Sequence, residues 1–394
     1  MSITYPILKL KPGRERHLKN RHHSVFRTAF GALPEMENGG IAEIQSSDGD
    51  FICYATINRK AYIAARAISF EKGDPLESLR RTVRRSIELR RTLFTSEDSN
   101  AIRLINAEGD GIPGLVVDQY ADVLVVQFTT LGMDRLRPFI VDLLNEVVKP
   151  SAIFEKSTGA ARRREELEPT EKWLKGKVAG DIEIRERGLK YLISLEGSQK
   201  TGLFLDQRDM RALVRHMAPG RTVLDCCCYV GGFSLNALAG GAHSADGVDY
   251  DAQAIEKAKQ HMQINGIEAD RFHGYSEDVF DFLRRKPPAR PYDFIILDPP
   301  AFAKRSTDLD QAKGAYTDMN RMALQMLPPG GLLLTCSCSF QVDPVLFQTI
   351  VFHAARQANR NVRILQRHHQ AYDHPVNLYH PEVDYLKSLL LWVE

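Results

Sequence analysis

Two short segments hold residues whose types and spacing could carry covalent chemistry. Leu297-Asp298-Pro299-Pro300-Ala301-Phe302 closes the apolar run Phe294 to Leu297, and the run Gly331 to Thr335 leads into Cys336-Ser337-Cys338-Ser339. The two prolines fix the backbone and carry no N–H. They hold Asp298 at the end of its strand, where ligands bind in open α/β sheets. A plain strand terminus is the competing reading, and the apolar run before the turn favours function. Cys336 and Cys338 share parity, so both could face one side if the strand continues. Cys338 lies farther toward the carboxyl end, nearer the crevice. A thiolate there suits attack on a pyrimidine, because C5 of cytosine is a poor nucleophile until something adds at C6. Asp298 could then bond the base at N3 and N4 and stabilise the adduct. Burial as a small apolar side chain is the usual fate of cysteine, and it is the expectation for Cys336.

A second constellation suits a nucleoside ligand. Val223 to Phe233 reads as strand, turn and helix start, with Tyr229, Gly231, Gly232 and Phe233 in the turn. Adjacent glycines let a backbone pass close to a ligand, and a helix start offers free N–H donors. Alone, such a turn is more often packing. Asp249 ends the next strand about twenty residues on, placed to accept both ribose hydroxyls. The phosphate-reading pattern G-x-G-x-x-G is missing. Ribose and adenine without phosphate point to S-adenosylmethionine. Asp278, at the end of the third strand and before Val279 and Phe280, is placed to meet the adenine edge, with a helix cap as the alternative.

These residues need a sheet to align them. After Gly197 strands and helices alternate, the signature of a doubly wound parallel sheet. Strands are expected at Thr222 to Cys226, Gly247 to Asp249, Phe294 to Leu297, Gly331 to Thr335, Val362 to Gln366 and Leu386 to Trp392. Up to Glu71, short alternating runs broken by Asn38-Gly39-Gly40 and Asp48-Gly49-Asp50 read as a small all-β module. Between them lies an α+β stretch. It has a helix over Pro75 to Phe94, strands at Ala101 to Ile105, Leu115 to Asp118 and Val123 to Thr129, a helix over Met133 to Val148 and a strand at Ala152 to Glu155. A loop-like segment from Ser157 to Lys177 and a hairpin from Ala179 to Leu195 complete it. The expected organisation is an α/β protein of three domains: 1–72 β-rich, 73–195 α+β, and 196–394 Rossmann-like.

Composition narrows the function classes. Of 394 residues, 43% are hydrophobic and 26% charged, ordinary for a soluble protein, and no apolar run suggests a membrane helix. Lys9, Lys11 and Arg14 lead into no apolar stretch, so no secretory signal is read and a cytoplasmic protein is expected. The six cysteines include three consecutive ones, poor disulfide partners for one another, and are read as reduced thiols. They form no zinc spacing, and the histidines form no ligand cluster, so no metal and no metal-dependent hydrolase are expected. The net charge of +2 conceals basic clusters. They are Lys9 to Arg27, Arg80 to Arg91, and Arg162-Arg163-Arg164. Three such clusters outside the catalytic half favour a polyanion over solvated faces.

Longer matches then carry a resemblance. They include Leu8 to Leu18 with Val25-Phe26, Glu108 to Gly114, Lys200-Thr201-Gly202 with Leu205 to Arg208, and Tyr229 with Gly231-Gly232-Phe233. Asp298-Pro299-Pro300 with Phe302, Ser337-Cys338-Ser339, and Asp373-His374-Pro375 complete the set. Spread over nearly the whole chain, they resemble the ribosomal RNA large-subunit 5-methylcytosine methyltransferase family. That resemblance implies a PUA domain, a central α+β domain and a Rossmann-like class I methyltransferase domain acting on RNA, in particular 23S ribosomal RNA. It implies Cys338 as nucleophile and Asp298 as the base-contacting acid. Asp249 and Asp278 become cofactor contacts, and Gln207 and Arg208 part of the stretch closing over cofactor or substrate. Lys9, Lys11, Arg14, Arg162, Arg163 and Phe302 are the candidate RNA contacts. The chain departs from the family at His22-His23-Ser24, where relatives carry His-Pro-Trp, at Val230, where Thr is common, and at the extra thiol Cys336. Two rivals remain: a base-nitrogen methyltransferase that uses the Asp-Pro-Pro turn without a thiol, and a non-catalytic RNA-binding or ribosome-assembly protein. Oligomeric state is open, a homodimer included.

Overall fold

The computed structural model describes residues 4–95, 98–196, 202–285, 291–303 and 305–394. The change of texture at Gly197, and Lys200 and Thr201 of the matched stretch, lie outside them. The chain divides into two units. One takes Met1–Gly188, Ile193–Gly202 and Asp373–Val383, the other Leu189–Leu192, Leu203–Tyr372 and Asp384–Glu394. The expected boundary at 72/73 therefore falls inside the first unit. The physical reason is a shared core: Tyr54 and Ile68 of the β module pack in one cluster with Leu79, Val83, Leu104 and Val117 of the α+β stretch.

The first unit holds two sheets of five strands. One runs in the order Ile7–Lys9, Ile41–Gln45, Phe51–Ile57, Ile63–Ser69, Ser24–Phe26, and the other Thr170–Lys175, Ala152–Ser157, Val123–Phe128, Leu115–Tyr120, Ala101–Asn106. The helix Pro75–Leu93 begins on Asp74, whose carboxylate accepts from the N–H groups of Leu76 and Glu77, with Pro75 where no helical N–H is needed. Two expectations change. The helix over Met133 to Val148 is two, Leu131–Arg135 and Arg137–Val147, because Pro138 has no N–H to donate to the Asp134 carbonyl and sits where a new helix starts. The loop-like segment Ser157 to Lys177 contains a helical turn, Ala160–Arg164, and an antiparallel edge strand, Thr170–Lys175. Its sparse apolar content suits an edge, which hid it from periodicity. Within Glu108 to Gly114, Gly114 takes φ +86°, and a Cβ there would meet Thr130 Oγ1 at 2.3 Å.

The second unit is built on seven strands. They are β1 (Thr222–Cys226), β2 (Ser244–Asp249), β3 (Phe272–Ser276), β4 (Phe294–Leu297), β5 (Leu332–Ser337), β6 (Val362–His368) and β7 (Lys387–Val393). Their spatial order is β3-β2-β1-β4-β5-β7-β6. β1 to β5 are parallel, and β7 runs antiparallel to both its neighbours. Both faces of β4 and β5 are buried, as a helix-covered parallel strand requires. The helices used below are α1 (Gly232–Ala239), α2 (Ala252–Ile264), α3 (Val279–Leu283), α4 (Leu309–Met326) and α5 (Pro344–Ala358). The chain winds from β1 outward to β3, then returns to β4 on the other side of β1. That reversal opens a crevice at the carboxyl ends of β1 and β4.

Candidate active site

Adjacent strands bring the two reactive segments together. Leu297 of β4 lies in register with Thr335 of β5, so the Asp298 turn and the Cys338 turn leave the sheet side by side. Cys338 Sγ sits 3.9 Å from the Pro299 carbonyl oxygen. β5 ends at Ser337, so the two thiols do not share an environment: Cys336 is fully buried, whereas Cys338 is half-buried. Both serines flanking Cys338 are clamped. Tyr316 of α4 pairs its hydroxyl with Ser339 Oγ (2.9 Å) and accepts from Ser337 Oγ (3.0 Å), and the Ala303 N–H donates to Ser339 Oγ (3.2 Å). Phe302 turns inward, its ring 4.7 Å from that of Tyr316. Gln207 donates from Nε2 to Asp298 Oδ1 at 2.9 Å, and Arg208 is buried beside it in sequence.

The surroundings set the thiol's acidity. Burial first, then the negative charges of Asp298 and Asp206, push Cys338 up to about 12, and Lys387 pulls the other way. Lys387 is itself lowered to about 8 by burial. Asp206 accepts from the Tyr385 hydroxyl at 2.6 Å. Sequence reasoning passed over Tyr316 and Lys387. A lysine inside the apolar run Leu386 to Trp392 was a readable signal, whereas nothing in helical periodicity singles out Tyr316.

On the other side of the crevice, three left-handed residues alternate through the loop from β1 to α1: Cys227 (φ 60°), Tyr229 (φ 49°) and Gly231 (φ 73°). Such strain in non-glycine residues clusters at ligand sites. Gly231 also packs the loop, since a Cβ there would meet that of Ala258 on α2 at 2.8 Å. The Tyr229 N–H donates to Asp249 Oδ2 (2.8 Å) and the Asp251 N–H to Oδ1 (3.0 Å). Each oxygen keeps a lone pair for a ribose hydroxyl. Phe233 is buried in the first turn of α1. Asp278 caps α3, its Oδ1 accepting from the N–H groups of Phe280 and Asp281. Asp225, unremarked in the sequence, is fully buried at the end of β1. Its Oδ2 takes the Ser234 N–H and hydroxyl (3.0 and 2.7 Å). Burial, with added repulsion from Asp298 and Asp249, raises it to about 7. Acids at the ends of β1, β2 and β4 thus repel one another. A ligand carrying a sulfonium and an ammonium, as S-adenosylmethionine does, relieves that repulsion, so these residues fit it.

The basic candidates belong to the first unit. Lys9, Lys11, Arg14 and Arg163 are exposed. Arg162 is corrected: it is buried, bonding the Phe128 carbonyl (2.6 Å), the Glu168 carbonyl (2.8 Å) and Asp134 (2.8 Å), so it braces the fold rather than facing RNA. The arginine cluster on Pro75–Leu93 is largely neutralised, with Arg80 and Arg84 on Glu146, Arg81 on Glu71 and Arg90 buried on Asp110.

The histidine expectation also needs correcting. His22, His380 and Glu382 bring possible ligand atoms within 4.8 Å of one another. The hydrogen bonds nonetheless argue against a metal. His22 Nδ1 accepts from the Ser24 N–H and His380 Nε2 from the His23 N–H. The remaining nitrogens, 3.3 and 3.7 Å from Glu382, must then carry the ring protons. A metal ligand has the reverse wiring, with its outer nitrogen as donor.

Comparison with known proteins shows the family. Residues 153–389 match the S-adenosylmethionine-dependent methyltransferase family model, and residues 8–70 match that of a PUA-like domain. Ribosomal RNA large subunit methyltransferase I of Shewanella denitrificans is 38% identical over 97% of this chain and 98% of its own length. The protein of the same name from Pseudoalteromonas atlantica is 36% identical over the same shares. Among solved structures, a methyltransferase complexed with SAH superposes with TM-score 0.84 at 23% identity, covering 98% of this chain and 99% of its own. No helix among the described residues is long and apolar enough to cross a membrane. With matches spanning both units, the chain belongs to the family of S-adenosylmethionine-dependent methyltransferases that includes the ribosomal RNA large subunit methyltransferase I proteins, and S-adenosylmethionine is its cofactor.

Proposed function

We propose that this protein methylates C5 of a cytosine in large-subunit ribosomal RNA, with Cys338 as nucleophile. The observation that carries the reading is the half-buried Cys338 sulfur, 3.9 Å from the Pro299 carbonyl and beside the Asp298 turn. The substrate class rests on the names of the relatives.

In this mechanism the Cys338 S–H bond breaks, its proton passing to water, and the sulfur adds to C6. Asp298, oriented by Gln207, holds the base edge and favours protonation at N3 as negative charge develops there. The bound cofactor supplies an electrophilic methyl group, which C5 takes. Transfer of the C5 proton to water then lets the C5–H electron pair form the C5=C6 bond and returns the C6–S pair to sulfur as thiolate. Asp249 and Asp278 are proposed to hold ribose and adenine, the latter alongside its capping role. The loop of Tyr229, Gly231, Gly232 and Phe233 would line the cofactor, with Gln207 and Arg208 closing over it. Lys9, Lys11, Arg14 and Arg163 are proposed to meet RNA phosphates. Phe302, packed on Tyr316, supports the base turn from behind.

The test combines a variant with a trap. RNA containing 5-fluorocytidine has no C5 proton to lose, so the adduct should persist as a band stable to denaturing electrophoresis. Cys338→Ala should lose both that band and turnover, by at least about a thousandfold. Undiminished turnover in C338A would discard the carbon-methylation reading.

A further inference from the structure

β7 begins with a lysine where an apolar residue would pack at lower cost. Lys387 is 5% exposed, and the antiparallel register sets it opposite Ser337, one residue before Cys338. Its Nζ donates to the Ser339 carbonyl at 2.7 Å and to the Tyr385 carbonyl at 2.6 Å. Among the described residues it makes no carboxylate ion pair. Burying an ammonium against two neutral carbonyls costs desolvation that a methionine would avoid. Such costs collect at functional sites. Its two bonds also have a direction: one holds the residue after Cys338, and the other holds the turn whose Tyr385 hydroxyl bonds Asp206.

We propose that Lys387 is a positioning residue for Cys338, fixing the turn that carries the thiol and supplying the positive charge that favours its thiolate. The inference rests on the reading of Cys338 as nucleophile. The charged and titratable groups facing that sulfur are Asp298 after β4, Asp206 in the turn before Gln207, Tyr316 on α4, Lys387 on β7 and the buried Cys336 thiol on β5. Both acids disfavour the thiolate, and Lys387 opposes them. Facing Lys387 in turn are Cys338, Asp384 and Asp343, the residue capping α5. Ionisation breaks only the S–H bond, the proton passing to water, and leaves the negative sulfur facing the ammonium.

The experiment measures alkylation of Cys338 by iodoacetamide against pH, read by mass spectrometry of the peptide, together with kcat and KM in wild type, K387M and K387R. At a given pH, K387M should alkylate about tenfold more slowly, since losing the ammonium shifts the thiol further toward its protonated form. Its kcat should fall by a similar factor with KM values little changed, and K387R should recover most of both. An alkylation profile for K387M that superimposes on the wild type overturns the proposal, as does a K387R as impaired as K387M. Should K387M unfold at assay temperature, K387Q serves for the same comparison. The two readings fail separately: full turnover in C338A removes the nucleophile, while the alkylation profile still reports on Lys387.

Discussion

The two units treat buried charge in opposite ways. In the first, Arg90 is fully buried and forks onto Asp110 at 2.6 and 2.7 Å, with further bonds to the carbonyls of Ser86, Arg103 and Asp373. Arg103 pairs with Asp118 and Arg66 with Glu165. In the second unit Asp225 is equally buried, yet its hydrogen bonds come from the neutral Ser234, the charges acting on it are two more acids, and Asp225 Oδ1 accepts no hydrogen bond among the described residues. Satisfied charge holds a fold together, whereas charge left in mutual repulsion marks where a ligand completes the wiring.

The largest break in that contrast should come from Arg90→Met. It strands a buried carboxylate, so urea denaturation should show a loss of about 3–5 kcal/mol. A loss under 1 kcal/mol would mean that the pair is not structural. Asp225→Asn should do the reverse. A carboxyl held at about 7 keeps a proton in the folded state that the unfolded chain has released, so wild-type stability should fall as pH rises from about 4 to about 7. The variant should flatten that slope, as urea midpoints across the interval will read. The smallest effect belongs to the histidines. Burial lowers His23 to about 3 and His380 to about 4. Both are neutral when folded but take up protons when unfolded below about pH 6.5, so their contribution falls as pH drops from about 6.5 to about 4. His380→Asn should weaken this acid sensitivity. An unaltered acid limb would shift the contrast away from these rings.

Much of the second unit was legible because parallel strands announce themselves as apolar runs, and its chemistry sits where those runs end. Asp298 and Cys338 each follow such a run, and strand order then makes them neighbours. What periodicity could not see was partnership across the chain. Arg162 and Arg163 are adjacent and chemically alike, yet one braces Asp134 and the other is exposed. Arg90 reads like Arg91 until Asp110 is known to fold against it. His22 and His380 lie far apart in sequence, so no spacing rule could bring them together. Thr170–Lys175 carries few apolar residues and lies at a sheet edge, so it escaped.

The return of Asp373–Val383 to the first unit has a consequence for biosynthesis. The Arg90 guanidinium waits for the Asp373 carbonyl, and the Arg103 N–H waits for the Asp373 carboxylate (3.1 Å). Both acceptors belong to Asp373, which follows β1 to β6 in the chain and precedes β7. The first unit therefore lacks these two bonds until six of the seven strands of the catalytic sheet have been synthesised.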